Sequence, residues 1–245
     1  MGSTPRADAV PPPQPDLTSI REALRARLSI LQEGVEEASR GRTGPVRILP
    51  VTKGHPPEMV LAALEEGLAV LGENYVQECR DKEAAIGPGT VQWHLVGHLQ
   101  RNKVPVAGRL FSMVETVDSL QLATAISMQR AGQSPLPILC EVDFTDIPGR
   151  SGYRPEALLR DSGNLFALPG IVVSGLMTVS APEDPARSFA ACRELRNRLE
   201  RELGAKLPHL SMGMSGDFAL AIAEGSTQIR VGTALFGPRG AAGRR

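Results

Sequence analysis

A lysine at the end of an apolar segment is the first residue whose position points to chemistry. Lys53 closes VRILPVTK, which is predicted to be a strand that leads the amine to the open end of a sheet or barrel. Partial burial lowers the pKa of a lysine amine, and a neutral amine is what attack on a carbonyl carbon requires. The alternative is a solvated loop lysine, so neighbouring motifs must decide between the two.

Two glycine-containing segments near the carboxyl end predict an anion site. In HLSMGMSGDFALAIAEG, Ser215 and Gly216 lie between a short strand and a helix, so Ser215 is predicted to cap that helix while unpaired amides face an anion. In TQIRVGTALFG, the backbone amides of Gly232 and Thr233 can approach the same anion because Gly232 has no side chain. The alternative is a pair of ordinary glycine turns.

Arg230 precedes Gly232 by two residues, so on a strand it projects to the same face and is predicted to point inward. A buried arginine must be paired, and the alternative role is a structural ion pair with Glu73 or Glu141. A phosphorylated aromatic aldehyde would explain these residues together, with Lys53 on the aldehyde and Arg230 on a ring nitrogen.

Two histidines and a tyrosine are weaker candidates. His94 and His98 are four residues apart in WHLVGHLQ, but at a strand end this spacing does not place both rings on one face, so no metal site is predicted. We expect His94 to pack inside the barrel and His98 to lie in the loop after the third strand, near the mouth of the candidate site. Tyr75 is either an acid or base or a structural hydroxyl at a helix start.

The elements that must position these residues alternate along the chain. Helical stretches such as EMVLAALEEG and SFAACRELRNRLERELG separate the predicted strands, which predicts a TIM-type (β/α)₈ barrel, with a doubly wound open sheet as the alternative. The eight predicted strands are VRILPVT from Val46, LAVLGE from Leu68, VQWHLV from Val91, LFSMVET from Leu110, LPILCEVD from Leu136, IVVSGLMTV from Ile171, HLSMG from His209 and TQIRVG from Thr227.

The predicted domain boundaries follow composition. Residues 1–16 are Pro-rich and predict a flexible leader, and residues 239–245 predict a flexible tail. The barrel is predicted to occupy residues 17–238 as a single domain. An extra amphipathic helix precedes its first strand, because apolar residues recur at helical spacing from Leu17.

Composition excludes several classes of protein. Lys plus Arg number 27, as do Asp plus Glu, so the net charge of zero disfavours a nucleic-acid partner. No apolar run reaches the roughly eighteen residues of a membrane span, and the first residues lack a signal-peptide core, so we expect a cytoplasmic protein. The three cysteines, without CxxC spacing, predict neither disulfides nor a zinc site, and we expect buried or idle thiols.

The segments VTKGHP, GENYVQE, WHLVGHLQRNK, SGLMTV, LSMGMSGDF and IRVGTALFG, in this order, resemble the pyridoxal 5′-phosphate (PLP) homeostasis family over residues 17–237. The resemblance implies a PLP-binding barrel similar to the N-terminal domain of alanine racemase, without established catalytic activity. It implies an internal aldimine on Lys53, a phosphate held by Ser215, Gly232 and Thr233, and Arg230 at the pyridine nitrogen. The predicted cofactor-binding residues, with Gly216 from the anion site, are Lys53, Asn74, Ser215, Gly216, Arg230, Gly232 and Thr233.

One position departs from the family. A second basic residue usually follows the cofactor lysine, as in SKTKP, whereas this chain has His55 in Thr52–Pro56. The resemblance therefore does not extend to any role in PLP transfer that the second lysine has in the family. His55 can serve in part as a cation near or below its ordinary pKa of about 6.5.

Three functions remain open. The first is a non-catalytic protein that stores or delivers PLP, acts as a monomer and has PLP-dependent apoenzymes as candidate partners. The second is a PLP-dependent amino-acid racemase, which needs acid and base groups on both faces of the cofactor. In barrel racemases one of these groups is a tyrosine from a second domain, for which this sequence predicts no counterpart. The third is an aldolase-type enzyme that uses Lys53 without PLP, which leaves Arg230 without a role.

Overall fold

The computed structural model describes residues 16–145 and 147–238, and these form one barrel of parallel strands surrounded by helices. The strands are β1 Arg47–Pro50, β2 Val70–Glu73, β3 Gln92–Leu95, β4 Met113–Val117, β5 Leu136–Glu141, β6 Ile171–Met177, β7 His209–Ser211 and β8 Gln228–Val231. The helices are α1 Leu17–Ala38, α2 Pro57–Glu65, α3 Val76–Ile86, α4 Val104–Leu110, α5 Leu120–Gln129, α6 Pro155–Phe166, α7 Pro185–Leu203, α8 Phe218–Ala223 and α9 Thr233–Phe236.

The sheet closes on itself. Its strand order is β1-β8-β7-β6-β5-β4-β3-β2, so the first and last strands along the chain are neighbours. Beyond the end of β1, Val51 forms a parallel bridge with Gly72 of β2, and the amide of Thr52 donates to the Gly72 carbonyl at 3.0 Å. The two outermost strands of the sheet therefore meet, and the predicted (β/α)₈ barrel is confirmed over the doubly wound sheet.

All eight predicted strands are present, with boundaries that differ by up to three residues, and the largest difference is at the start of β4. The segment LFSMVET is predicted to be a strand from Leu110, but β4 begins at Met113 because Leu110 is the last residue of α4. A short apolar segment of this length can form either a helix or a strand. Periodicity alone therefore does not distinguish the end of a helix from the start of a strand.

The extra helix α1 covers the place where the last unit of the barrel meets the first. Asp16 is its N-cap, and the Asp16 carboxylate accepts from the Ser19 amide at 2.8 Å. The helix contacts α2, α8 and α9. Its buried side chains recur every three to four residues and are Leu24, Leu28, Leu31 and Val35. The predicted helix is confirmed, while residues 1–15 and 239–245 of the predicted leader and tail lie outside the described part of the chain.

Alternation along the strands separates two interiors. In β8, Ile229 and Val231 join the apolar layer between strands and helices, whereas Gln228 and Arg230 are buried on the opposite face, inside the barrel. The same alternation places Trp93 in the outer layer and His94 inside. Alternation therefore divides most strand side chains between an apolar outer layer and an interior that holds polar residues and smaller apolar clusters, such as that of Leu49 and Val51, with register irregularities between β4 and β5 and between β5 and β6.

The three cysteines, Cys79, Cys140 and Cys192, are buried free thiols, as predicted. Burial raises the pKa of Cys140 and of Cys192 to about 12. Among the described residues, no helix is long and apolar enough to span a bilayer.

Candidate functional site

A cavity of about 450 Å³ opens where the strands end, at the carboxyl end of the barrel. Loops after β1, β2, β3, β6, β7 and β8 contribute to its wall, which is the usual location of sites in this architecture. Its lining contains all seven residues that the sequence predicts for cofactor binding. The lining residues are Val51, Lys53, His55, Asn74, Val96, Met177, Val179, Met214, Ser215, Gly216, Arg230, Gly232 and Thr233.

Lys53 is partly buried in this wall, in a tight turn directly after β1. The turn forms because the His55 amide donates to the Thr52 carbonyl at 3.0 Å. Gly54 has a φ of 72°, in the left-handed region that glycine adopts without a steric penalty. The strand therefore delivers the amine to the cavity, and the turn immediately leads the chain away from it.

A buried ionic cluster lies behind this turn. The Lys82 ammonium group donates to Glu73 at 2.5 Å and to Glu78 at 2.8 Å, and only 4% of the Lys82 side chain is exposed. Burial raises the pKa of the Glu73 carboxyl, an effect that the charge of Lys82 partly offsets. Sequence reasoning missed this cluster, although the i, i+4 spacing of Glu78 and Lys82 on a predicted helix was a signal for their pairing.

The loop after β7 differs from its predicted structure. Asp217, rather than Ser215, occupies the N-cap position of α8, and its carboxylate accepts from the Met214 amide at 2.6 Å. The predicted cap is therefore wrong, because Asp217 is the residue directly before the helix, and its side chain caps no amide of α8. Ser215 instead accepts from the amide of Ala234, at 3.4 Å, and so links the loops after β7 and β8.

The loop after β8 completes this side of the cavity. Gly232 is the N-cap of the short helix α9, so Thr233 begins the helix at the cavity wall. A Cβ atom on Gly232 would lie 3.2 Å from the Val51 carbonyl oxygen, which is closer than ordinary van der Waals contact. The absence of a side chain therefore allows the ends of β8 and β1 to approach each other.

Arg230 forms part of the cavity floor and is buried. One guanidinium nitrogen donates to the Ser211 carbonyl at 2.6 Å and to its hydroxyl at 2.9 Å, and the other donates to the Thr178 carbonyl at 2.8 Å. The alternative role, an ion pair with Glu73 or Glu141, does not form among the described residues. Glu73 pairs with Lys82 instead, and Glu141 accepts from the Ser151 hydroxyl at 3.1 Å.

The carboxylate that balances Arg230 is Glu115, which the sequence analysis did not identify. Glu115 is fully buried and accepts from the Ser211 hydroxyl at 2.6 Å and from the Gln228 amide group at 2.8 Å. The His94 ring nitrogen Nδ1 lies 2.7 Å from the same carboxylate. Burial raises the pKa of Glu115, but the hydrogen bonds with His94 and Ser211 and the charge of Arg230 outweigh it, so the pKa is below its ordinary value.

These contacts decide between the roles proposed for the histidines. His94 packs inside the barrel, as predicted, and no group of three or more His, Cys, Asp or Glu in the described residues is arranged to hold a metal ion. His98 is exposed after β3 and pairs with Asp118 at 3.3 Å. Neither histidine is among the residues that line the described cavity.

His55 and Asn74 are two further residues of the cavity lining. His55 is buried, and the centre of its ring lies 5.5 Å from that of Phe236. Asn74 lines the cavity, whereas Tyr75 at the start of α3 is 58% exposed and is not among the lining residues described. A Cβ atom on Gly97 would lie 2.2 Å from the Asn74 carbonyl oxygen. Glycine at position 97 therefore allows the backbone of Asn74 to approach this closely.

Comparison with known sequences assigns the chain to a family. The family described as "Alanine racemase, N-terminal domain" matches residues 22–240. A protein from Aquifex aeolicus named pyridoxal phosphate homeostasis protein is 38% identical over 224 residues, which cover 89% of this chain and 97% of that protein. A protein of the same name from Pseudomonas aeruginosa is 36% identical, over 91% of this chain and 97% of its own length.

Solved structures agree with this assignment. The PipY protein of Synechococcus elongatus, solved with PLP bound, superposes with a TM-score of 0.78 at 32% identity, over 87% of this chain and 100% of PipY. Alanine racemase from Clostridium difficile superposes with a TM-score of 0.68 at 17% identity, over 87% of this chain and 59% of the racemase, which shows a shared fold. The chain therefore belongs to the alanine racemase N-terminal domain family and, within it, to the pyridoxal phosphate homeostasis proteins.

Proposed function

We propose that this protein binds PLP in the cavity at the carboxyl end of the barrel and serves intracellular PLP homeostasis. The observation that carries the proposal is the convergence of an amine, a guanidinium group and a hydroxyl-and-glycine wall on one cavity, from Lys53, Arg230 and Ser215 with its neighbours. A volume of about 450 Å³ lies in the range of small-molecule sites. Relatives carry the homeostasis name, and PipY was solved with PLP.

The chemistry of the lining fits the parts of PLP. Bound PLP supplies an aldehyde, which a lysine amine converts to a carbon–nitrogen double bond with loss of water. Lys53 is the lysine that lines the described cavity, and we assign it this role. Ser215 and Gly216 after β7, with Gly232 and Thr233 after β8, form the phosphate seat, because barrels often bind phosphate between these two loops.

Arg230 is assigned to the pyridine nitrogen, and Asn74 to the wall beside the ring. Burial lowers the pKa of the Arg230 guanidinium, with Glu115 and Glu141 opposing this effect, but arginine remains protonated in proteins. A permanent cation donates a hydrogen bond to the nitrogen and disfavours a proton on it. The ring is then a weak electron sink, so we infer a PLP carrier without significant carbanion chemistry.

A second candidate is a PLP-dependent amino-acid racemase. It is favoured by the fold shared with alanine racemase and by the amine of Lys53 in the cavity wall. Racemisation needs a second acid or base across the cofactor, and among the described lining residues the acid–base side chain besides Lys53 is His55. His55 is buried against Phe236. We therefore rank the carrier first.

The proposal also covers the setting in which the protein acts. We infer a monomer in the cytoplasm that delivers PLP to apoenzymes. Three buried free thiols agree with a reducing compartment. Size-exclusion chromatography with light scattering tests the oligomeric state, and transfer of PLP to an added apoenzyme, followed by recovery of its activity, tests delivery.

Borohydride reduction followed by peptide mapping tests the binding mode directly. We expect the PLP-loaded protein to be yellow and to carry a pyridoxyl label on Lys53 after reduction. Lys53→Ala should lose both the visible absorbance and the label. A label on another lysine, or no label at all, would overturn the assignment.

A further inference from the structure

We propose that Lys82 is a positioning residue for Lys53, acting with Glu78 to hold the two peptide groups that flank the cofactor lysine. The inference rests on the proposed function, since it concerns how Lys53 is presented to PLP. Lys82 and Glu78 lie on α3, behind the cavity wall, and neither lines the cavity.

The peptide group before Lys53 is held by Lys82. The Lys82 ammonium group donates to the Thr52 carbonyl at 2.6 Å, in addition to its bonds with Glu73 and Glu78. An ammonium group has three protons, so all its donors have partners in this cluster. The Thr52 hydroxyl donates to Glu73 at 2.5 Å, so both polar groups of Thr52 outside the sheet ladder engage the cluster.

The peptide group after Lys53 is held by Glu78. The Gly54 amide donates to the Glu78 carboxylate at 2.6 Å, through the same oxygen that accepts from Lys82. The backbone is therefore fixed on both sides of Lys53 by two side chains one helical turn apart. This arrangement sets the direction of the Lys53 Cα–Cβ bond.

Stability alone is a poor explanation for this cluster. Lys82 and Glu73 have been taken out of water and Glu78 partly so, and apolar residues of similar volume in such a position are often equally stable or more so. Fixing a reactive group in its productive geometry has a different benefit, because the loop does not have to be ordered when the reaction occurs. The position of the cluster directly behind the Lys53 turn agrees with this second role.

Binding of two ligands distinguishes a role of Lys82 in positioning Lys53 from a role in folding alone. PLP has the aldehyde that attaches to Lys53, whereas pyridoxine 5′-phosphate has the same ring and phosphate with an alcohol in its place. For Lys82→Met, we expect PLP affinity to fall by about tenfold or more, the size of losing a hydrogen bond to a charged group. The rate of covalent attachment, followed by absorbance, should fall similarly. Affinity for pyridoxine 5′-phosphate should stay within about twofold of wild type.

Glu78 offers a matched pair of variants if Lys82→Met fails to fold. Glu78→Gln keeps an oxygen that accepts from the Gly54 amide, whereas Glu78→Leu removes it. We expect Glu78→Leu to slow attachment more than Glu78→Gln. The control is Arg198→Met, which breaks the exposed ion pair of Arg198 with Glu202 on α7. It should change the affinity for neither ligand.

The possible outcomes are distinct. Equal losses of affinity for both ligands, or unchanged PLP affinity and attachment rate in Lys82→Met, would overturn the positioning role. Identical behaviour of the two Glu78 variants would contradict it as well. A wild-type protein that fails to attach PLP at Lys53 would overturn the proposed function and this inference together, whereas a normal wild type with unaffected variants overturns only the inference.

Discussion

Glu115 and Arg230 are linked through one hydroxyl group in the centre of the barrel. Ser211 Oγ donates to Glu115 at 2.6 Å and accepts from Arg230 at 2.9 Å. The carboxylate thus compensates the charge of a buried cation without touching it. His94 and Gln228 contact the other oxygen of Glu115, so this one carboxylate links three polar side chains of the barrel interior.

Replacing Glu115 should lower the free energy of unfolding. Glu115→Gln removes the negative charge that compensates Arg230. It also places an amide group, instead of a carboxylate, next to the hydrogen-bond donors of Gln228 and Ser211. Removing one partner of a buried charge pair typically destabilises by about 3 kcal/mol or more, and we expect a loss of this size in urea unfolding. Glu202→Gln, in an exposed pair, should change stability by less than about 1 kcal/mol. A Glu115→Gln protein as stable as wild type would contradict this role.

The same carboxyl predicts a dependence of stability on pH. The pKa of Glu115 in the folded protein is below its ordinary value of 4.5, so the folded state favours the ionised form. Its contribution to stability is then fully present above 4.5 and is lost as pH falls through the folded pKa. The stability difference between wild type and Glu115→Gln should therefore narrow below this pH. A difference that grows in acid would refute the assignment.

Ser215→Ala should distinguish the phosphate seat from the ring site. We expect PLP affinity to fall about tenfold to a hundredfold, since a hydrogen bond to a charged group contributes roughly 1.5 to 3 kcal/mol. Affinity for pyridoxal, which has no phosphate, should change little. Calorimetric titration with both ligands makes the comparison. Equal losses would show that Ser215 acts through the link to Ala234 or through the ring instead.

Proton exchange at the α-carbon of amino acids tests the carrier against the racemase. In deuterated water, the PLP-loaded wild type should exchange the α-proton of alanine or serine negligibly, because Arg230 disfavours a protonated ring nitrogen. The double variant Arg230→Gln with Glu115→Gln removes the cation together with its counter-charge and should show slow but measurable exchange by NMR. Retained PLP binding and a cooperative melt are the controls. Rapid racemisation by wild type would favour the enzyme.

The cysteines should be inert until the protein unfolds. A pKa of about 12 for Cys140 and Cys192 leaves little thiolate at pH 8, and burial blocks access to the sulfur. We expect a disulfide reagent to modify the native protein at least about a hundredfold more slowly than the denatured chain, which should titrate three thiols. Fast reaction of one native thiol would indicate local opening at its strand or helix.

The sequence by itself determined the order of elements and the residues that meet at the cavity. Strand and helix periods are local, and the carboxyl ends of parallel strands in a barrel must lie together. Lys53, Ser215 and Arg230 therefore share a cavity although Lys53 and Arg230 are 177 positions apart in the sequence. The prediction that Ser215 is the N-cap of α8 is wrong. Several polar residues precede this helix, and any of them can occupy the N-cap position.

Only the tertiary structure decided which charges support the site. Ser211 and Glu115 are 96 residues apart, and Gln228 and Glu115 are 113 apart, on opposite sides of a closed sheet. Strand alternation predicts that these side chains turn inward, but strand tilt and register decide which of them meet at one level. The contact of Lys82 with the Thr52 carbonyl likewise depends on how α3 packs behind the turn after β1, because packing between elements is set by side-chain shape in three dimensions.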